Sequence, residues 1–236
     1  DSKKADLKTE EETNKVLASL ENEEFRITKV KKRVTKRQPA PPYITSTLQQ
    51  EASRRMGFQA RRTMKAAQEL YEGIEIEGLG LVGLITYMRT DSLRVSDEAK
   101  QAAAEYIKGK YGEEYLPPSP REYKSKKNAQ DAHEAIRPSM PELDPERVKS
   151  SLTTDQYKVY KLIWERFIAS QMANALLDTM SAEITAGNCT FTASGYSVKF
   201  KGFSVLHVES KDGNDEEENK ELPPLEEGDV LKVKSL

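Results

Sequence analysis

Soft and redox-active side chains are scarce in this sequence. Cys189 is the only cysteine, and His133 and His207 are the only histidines, among 236 residues. A lone cysteine excludes a disulfide framework and a cysteine-rich zinc site, and two histidines so far apart lack metal-ligand spacing. No apolar run approaches the roughly 18 residues that suggest a membrane helix, and no signal peptide is visible. A reducing, cytoplasmic setting is expected. Hydrophobic residues make up 36%, below the usual ~45–50%, because charged residues take 32%. That balance suits a multi-lobed shape with much surface. A net charge of −2 excludes a chain that acts as a bulk polycation. The charge is unevenly spread. Residues 25–38, "FRITKVKKRVTKRQ", carry seven Lys or Arg and no acid, whereas 209–221, "ESKDGNDEEENKE", are mostly acidic.

The patterns that are present divide the chain into β-containing ends and a helical middle. Thr9 and Glu12 offer a capping box for a helix over 9–20, with Val16, Leu17 and Leu20 as its apolar stripe. Residues 25–37 read as a strand whose basic run is either a solvated edge protected by Lys and Arg or a phosphate-facing edge. "QPAPPY" (38–43) is an extended, proline-stiffened boundary. Helices are expected over 45–58, with Ser46 and Gln49 as a capping box and Gly57 as the stop, and over 60–73. Joined by a glycine-containing turn, they make a helix-turn-helix-like pair whose rim carries Arg54, Arg55, Arg61, Arg62 and Lys65. Further helices are expected over 96–112, capped by Ser96, over 128–138, which Pro138 ends, and over 153–173. From Thr179 onward the period becomes two, a strand-turn-strand-turn-strand meander, and a last strand follows the acidic loop. The fold class is therefore α+β. The opening "DSKKADLKTEE" and the closing "GDVLKVKSL" suggest a piece of a longer protein.

Two short stretches carry chemistry. In "GLITYMRTDS" (83–92), a strand over Gly83–Tyr87 continuing in register would put Tyr87, Arg89 and Asp91 on one face and Thr86, Met88 and Thr90 on the other. The plain reading is a solvated face with a cross-strand ion pair. The chemical reading starts from the weakness of a phenol as a nucleophile, its ordinary pKa being about 10. A fixed guanidinium favours the phenolate and can grip a phosphate bidentately, as Lys cannot. In "NAQDAHEAIRP" (128–138), a helix would make His133 and Arg137 neighbours at i and i+4, with Gln130 beside them. That is either a half-exposed polar face or a protonatable imidazole beside a phosphate clamp.

Together with "PPYITSTLQQEASRRMGF", "LYEGIEIEGLGLVGLITYMRTDS" and "LIWERFIASQM", these two stretches resemble the bacterial type IA DNA topoisomerase I family, most specifically over residues 39–174. The resemblance implies a two-lobed fold in which a helical cap, 39–174, is inserted into an antiparallel β hinge made of 1–38 and 175–236. It implies that Tyr87 is the nucleophile that forms a 5′-phosphotyrosine with single-stranded DNA. Arg89 would position the scissile phosphate, and His133 would assist binding and charge handling. Arg137, Arg54, Arg55, Arg61 and Arg62 would contact DNA. The family's magnesium is held by an Asp-x-Asp-x-Glu set in a Toprim domain that this sequence lacks. The family's single-strand-gripping helical domain is also missing from it. The chain alone is accordingly expected to be inactive, with its partners DNA and the missing domains, and with no cofactor of its own.

Two rival functions separate from this one. A non-catalytic helix-turn-helix DNA-binding module would leave Tyr87 dispensable. A tyrosine recombinase or type IB enzyme would place His-x-x-Arg ahead of a tyrosine near the C-terminal end, whereas here the tyrosine comes first and the spacing is His-x-x-x-Arg.

Overall fold

The computed structural model describes residues 5–123, 133–206 and 221–235. The chain separates into two compact units. One gathers, among the described residues, 5–36, 176–200 and 221–235; the other holds 37–123, 133–175 and 201–206.

The first unit is built on a sheet. Helix α1 (Glu10–Leu20) begins where Thr9 accepts the Glu12 N–H at 3.2 Å. The Glu12 carboxylate takes the Lys8 N–H rather than that of the cap residue itself. Strand β1 (Phe25–Arg37), the hairpin β4 (Ala175–Ala186) and β5 (Cys189–Phe200), and the short β6 (Val230–Leu231) form a four-stranded sheet in the order β5-β4-β1-β6. The hairpin is antiparallel throughout, from Leu176 opposite Phe200 to Ala186 opposite Cys189. Gly187, at φ +53°, opens its two-residue turn, a conformation that costs glycine little. Threonine hydroxyls add cross-strand bonds between β1 and β4, Thr28 to the Glu183 carbonyl and Thr179 to the Arg33 carbonyl. The buried centre is small: Ile27, Ala182 and Leu225, backed by Val30, Met180, Ile184, Leu222 and Leu231. Beyond Val30, the side chains of β1 are exposed.

The second unit contains the large core. Helices α2 (Thr45–Met56) and α3 (Ala60–Glu72) meet at Gly57, which adopts φ +65° so that its N–H can close the last turn of α2 on the Ser53 carbonyl. A small hairpin follows, β2 (Ile74–Ile76) and β3 (Gly80–Val82), then α4 (Asp97–Tyr111) with Ser96 as its side-chain cap. A single turn, α5 (Pro145–Val148), starts from the Asp144 cap with proline at its first position. The long α6 (Thr154–Gln171) is the centre of the unit, packing against α2, α3, α4 and α5. Val159, Ile163, Phe167 and Ile168 are fully buried along it. Its two buried polar rings are satisfied: Tyr160 donates to the Leu143 carbonyl at 2.6 Å and Trp164 to the Pro141 carbonyl at 2.9 Å.

Several local expectations change. The cap position of α2 is Ile44 rather than Ser46, and Thr47 rather than Gln49 takes the cap N–H. The meander has two strands among the described residues, not three, because 202–206 form a short 3-10 helix. Gly202, at φ +48°, turns the chain so tightly that a Cβ there would lie 2.3 Å from the Asn174 carbonyl oxygen, and Phe203 buries itself among the residues of the helical unit. Residues 83–90 make no strand, only an isolated bridge between Ile85 and Pro138. Residues 133–138 are extended rather than helical, and Ile136 bridges Tyr43. Residues 128–132, Gln130 among them, lie outside the described residues, as do His207 and all of the acidic run except Glu221.

Candidate active site

The tyrosine segment is held by two threonines rather than by strand neighbours. Before Tyr87, the Thr86 hydroxyl donates to the Ala135 carbonyl at 2.7 Å and accepts the Arg137 N–H at 3.0 Å, while the Thr86 N–H reaches the Arg137 carbonyl at 2.9 Å. After it, the Thr45 hydroxyl accepts the Thr90 N–H at 2.9 Å and donates to the Met88 carbonyl at 2.8 Å; the Thr45 N–H returns to the Thr90 carbonyl at 3.0 Å. The loop is thus clamped between the start of α2 on one side and the extended 133–138 segment on the other. Clamping preserves the expected alternation without a ladder. Tyr87, Arg89 and Asp91 are exposed, and Met88, Thr90 and Ser92 are buried.

Extended chain at 133–138 has the same origin. Its N–H groups find partners across the chain: Ala135 on the Arg94 carbonyl, Ile136 on the Tyr43 carbonyl, Ser139 on the Leu84 carbonyl. A helix there would forfeit these bonds, and Pro138 already disfavours helical geometry at Arg137. The consequence for the side chains is that His133 and Arg137 do not share a helix face. The His133 ring lies against Tyr87, centroids 5.5 Å apart and tilted by 31°. Arg137 is drawn instead into an ion pair with Glu134, its Nε 2.8 Å from Oε2, and its Nη1 bonds the Pro138 carbonyl.

A cleft of about 340 Å³ opens beside the tyrosine, lined by Ile44, Thr45, Ser46, Arg89, Thr90, Asp91 and His133. Arg89 has no carboxylate partner among the described residues, which leaves its charge available to a ligand. The first turn of α2 borders the same cleft. Its cap position is Ile44, which offers no side-chain acceptor; the hydroxyl of Thr47 instead takes the Ile44 N–H at 3.0 Å. A positive guanidinium beside the positive end of a helix dipole suits an anion.

The remaining arginines are placed differently. Arg54 and Arg55 both bind Glu51, Arg54 through Nη2 at 2.8 Å and Arg55 through Nε at 2.7 Å, and the half-buried Arg166 completes the cluster with Nη2 at 3.8 Å. Burial alone would raise the Glu51 carboxyl, but the Arg54 hydrogen bonds and the charges of Arg55, Arg54 and Arg166 outweigh it and hold it below the ordinary carboxylate range. Arg62 forms a two-pronged pair with Asp155, both bonds 2.7 Å, and lies over the Phe58 ring. Arg61 is exposed and has no ion pair among the described residues. Beneath the cleft, burial pushes the Tyr43 phenol up to about 12, against the pull of Arg166 over its ring.

Sequence reasoning missed Thr45, Thr86 and Thr90 as clamps, and Tyr71, whose ring meets Tyr87 edge-on at 5.5 Å. Thr86 and Thr90 flank the tyrosine almost symmetrically, a signal that was visible. Nothing in the sequence ties Thr45 to a residue 45 positions away. Among the described residues, no three His, Cys, Asp or Glu side chains are grouped to hold a metal ion.

Comparison with known proteins bears on the family. The family model for DNA topoisomerase matches residues 1–236. The structure superposes on full-length topoisomerase I from Thermotoga maritima with a TM-score of 0.79 at 35% sequence identity. That match covers 98% of this chain and 36% of the Thermotoga chain, so the present chain spans about a third of the length of that enzyme. A match over the whole sequence, and a shared fold at that identity, mean that this chain belongs to the DNA topoisomerase family, on its bacterial type IA branch.

Proposed function

We propose that this chain carries the nucleophile of a type IA topoisomerase that relaxes negatively supercoiled DNA without ATP, by transient cleavage of one strand. The Tyr87 oxygen attacks a phosphodiester phosphorus of single-stranded DNA. The bond from phosphorus to the 3′ oxygen breaks, the phenol gives up its proton, and the 3′ oxygen leaves to end as a hydroxyl. The product is a 5′-phosphotyrosine, which conserves the energy of the broken bond, so the 3′-hydroxyl can reverse the reaction after strand passage.

The observation that carries this reading is the clamped loop. It leaves Tyr87 and Arg89 exposed while fixing the backbone on both sides of them. Catalysis by positioning needs that combination. Arg89, which has no carboxylate partner among the described residues, would bind the scissile phosphate in two-pronged fashion. His133, in contact with the Tyr87 ring and lining the same cleft, would assist phosphate binding and charge handling near the break. Arg61 remains the best-placed rim arginine for further DNA contact, because Arg54, Arg55, Arg62 and Arg137 are engaged with carboxylates. Magnesium, the Toprim domain and the single-strand-gripping domain would come from the rest of a longer protein. The present chain on its own is expected to bind DNA weakly and not to cleave it.

The test is a denaturing gel with end-labelled single-stranded DNA and full-length enzyme supplied with magnesium. A covalent adduct should form with the wild type and vanish in Tyr87→Phe, while non-covalent binding stays nearly unchanged. An adduct that persists in the phenylalanine variant would mean a different nucleophile.

A further inference from the structure

The Tyr87 hydroxyl has no hydrogen-bond partner among the described residues, so the aim of the phenol depends on what touches its ring. Two rings do. His133 lies against it with a tilt of 31°, and Tyr71 meets it at 68°, each with centroids 5.5 Å away. Tyr71 is 41% exposed and its ring contributes little to the core. Its backbone, by contrast, is fixed to the loop that bears Tyr87. The Leu70 carbonyl takes the Leu84 N–H at 2.8 Å, and Gly83 comes so close to the Tyr71 carbonyl that an added Cβ would sit 2.9 Å from the oxygen. The end of α3 and the start of the tyrosine loop are thereby held in one register, which keeps the two phenol rings in contact.

We propose that Tyr71 is a positioning residue for the Tyr87 nucleophile, its ring setting the direction in which the Tyr87 oxygen points. This rests on the reading of Tyr87 as the nucleophile. The ring acts, not the hydroxyl, because the Tyr71 hydroxyl has no hydrogen-bond partner among the described residues. Losing the ring leaves Tyr87 free to rotate away from its attacking geometry. An edge-to-face pair contributes about 0.5–1.5 kcal/mol, equivalent to about a 2- to 12-fold change. That range is the expected fall in the rate of adduct formation.

The experiment uses the full-length enzyme with magnesium and measures single-turnover adduct formation against single-stranded DNA concentration. Tyr71→Ala and Tyr71→Leu should lower the saturating rate about 2- to 12-fold, leave the half-saturating concentration unchanged, and keep a native circular dichroism spectrum. Tyr71→Phe should restore the wild-type rate. A wild-type rate in both Ala and Leu variants overturns the inference, as does a Phe variant as slow as they are. A loss confined to the half-saturating concentration also overturns it, because it would make Tyr71 a stacking platform for a base. Tyr87→Phe is run beside them. If it still forms the adduct, the reading of Tyr87 has failed; if it does not and the Tyr71 variants are unaffected, only the positioning role has failed.

Discussion

Thr45→Val removes one hydroxyl from the start of α2 and tests whether the clamp holds the tyrosine loop. The substitution keeps the shape of the side chain. It strands two groups, the Thr90 N–H and the Met88 carbonyl, whose bonds to the Thr45 hydroxyl measure 2.9 and 2.8 Å. Met88 is fully buried and Thr90 is 7% exposed. A buried polar group left unpaired costs about 1–3 kcal/mol. One face of the loop is open to water, so the lower half of that range applies to each, about 3 kcal/mol in all. For a protein of this size that corresponds to a melting temperature lower by roughly 6–12 °C. Thr45→Ser keeps the hydroxyl and should lie close to wild type. Circular dichroism melting provides the stability, and hydrogen exchange at the Thr90 amide reports the loop directly. Adduct formation by the full-length valine variant should fall at least about tenfold, since small misplacements of reacting groups are costly. A valine variant that melts within 2 °C of wild type on the order estimated above, with its Thr90 amide still protected, would refute the clamp.

Three further outcomes follow from the same geometry. Because the Glu51 carboxyl is held below its ordinary value of 4.5, its ion pairs stabilise the fold above that pH and weaken as pH falls below it. Urea midpoints at pH 7 and pH 4 should show a smaller acid loss in Glu51→Gln than in wild type. The same variant should cost about 3 kcal/mol at pH 7 by leaving the arginine cluster without its counter-charge; equal acid losses in the two proteins would count against the network. Gly83→Ala must displace the loop from the Tyr71 carbonyl and should slow adduct formation while leaving the helical content unchanged, a result readable by gel and circular dichroism together. Arg89→Ala should flatten the salt dependence of single-strand binding, the slope of log K against log salt falling by about 0.7; an unchanged slope would mean that Arg89 touches no phosphate.

The helices were the most legible part of the chain. Thr9 and Ser96 announced α1 and α4, and the apolar stripe of α6 gave its length, because caps and 3.6-residue periodicity are local properties. The hairpin of β2 and β3 was missed since three residues per strand are too few to show a period. The single turn of α5 escaped too, although Asp144 followed by Pro145 is a start signal. The backbone around the candidate site residues was not legible. "GLITYMRTDS" and "AHEAIRP" both invite regular structure, a strand and a helix. Each is extended or looped because its hydrogen-bond partners, Thr45, Tyr43, Leu84 and Thr86, lie far away in sequence. The alternation of Tyr87, Arg89 and Asp91 survived that error, since buried Met88, Thr90 and Ser92 impose it from the other side. The arginines of the α2–α3 rim look alike in sequence. Only folding reveals that Glu51 and Asp155 occupy most of them and that Arg89 faces its cleft with no carboxylate partner among the described residues.

On the proposed mechanism the cleaved DNA strand is joined to the Tyr87 oxygen. This is tested most directly by trapping the adduct of the full-length enzyme on single-stranded DNA, digesting protein and nucleic acid, and sequencing the modified peptide by mass spectrometry. The expected product is a nucleotide joined through its 5′-phosphate to Tyr87 within Gly83–Ser92. A phosphate found on any other residue, or joined through a 3′ oxygen, would contradict it.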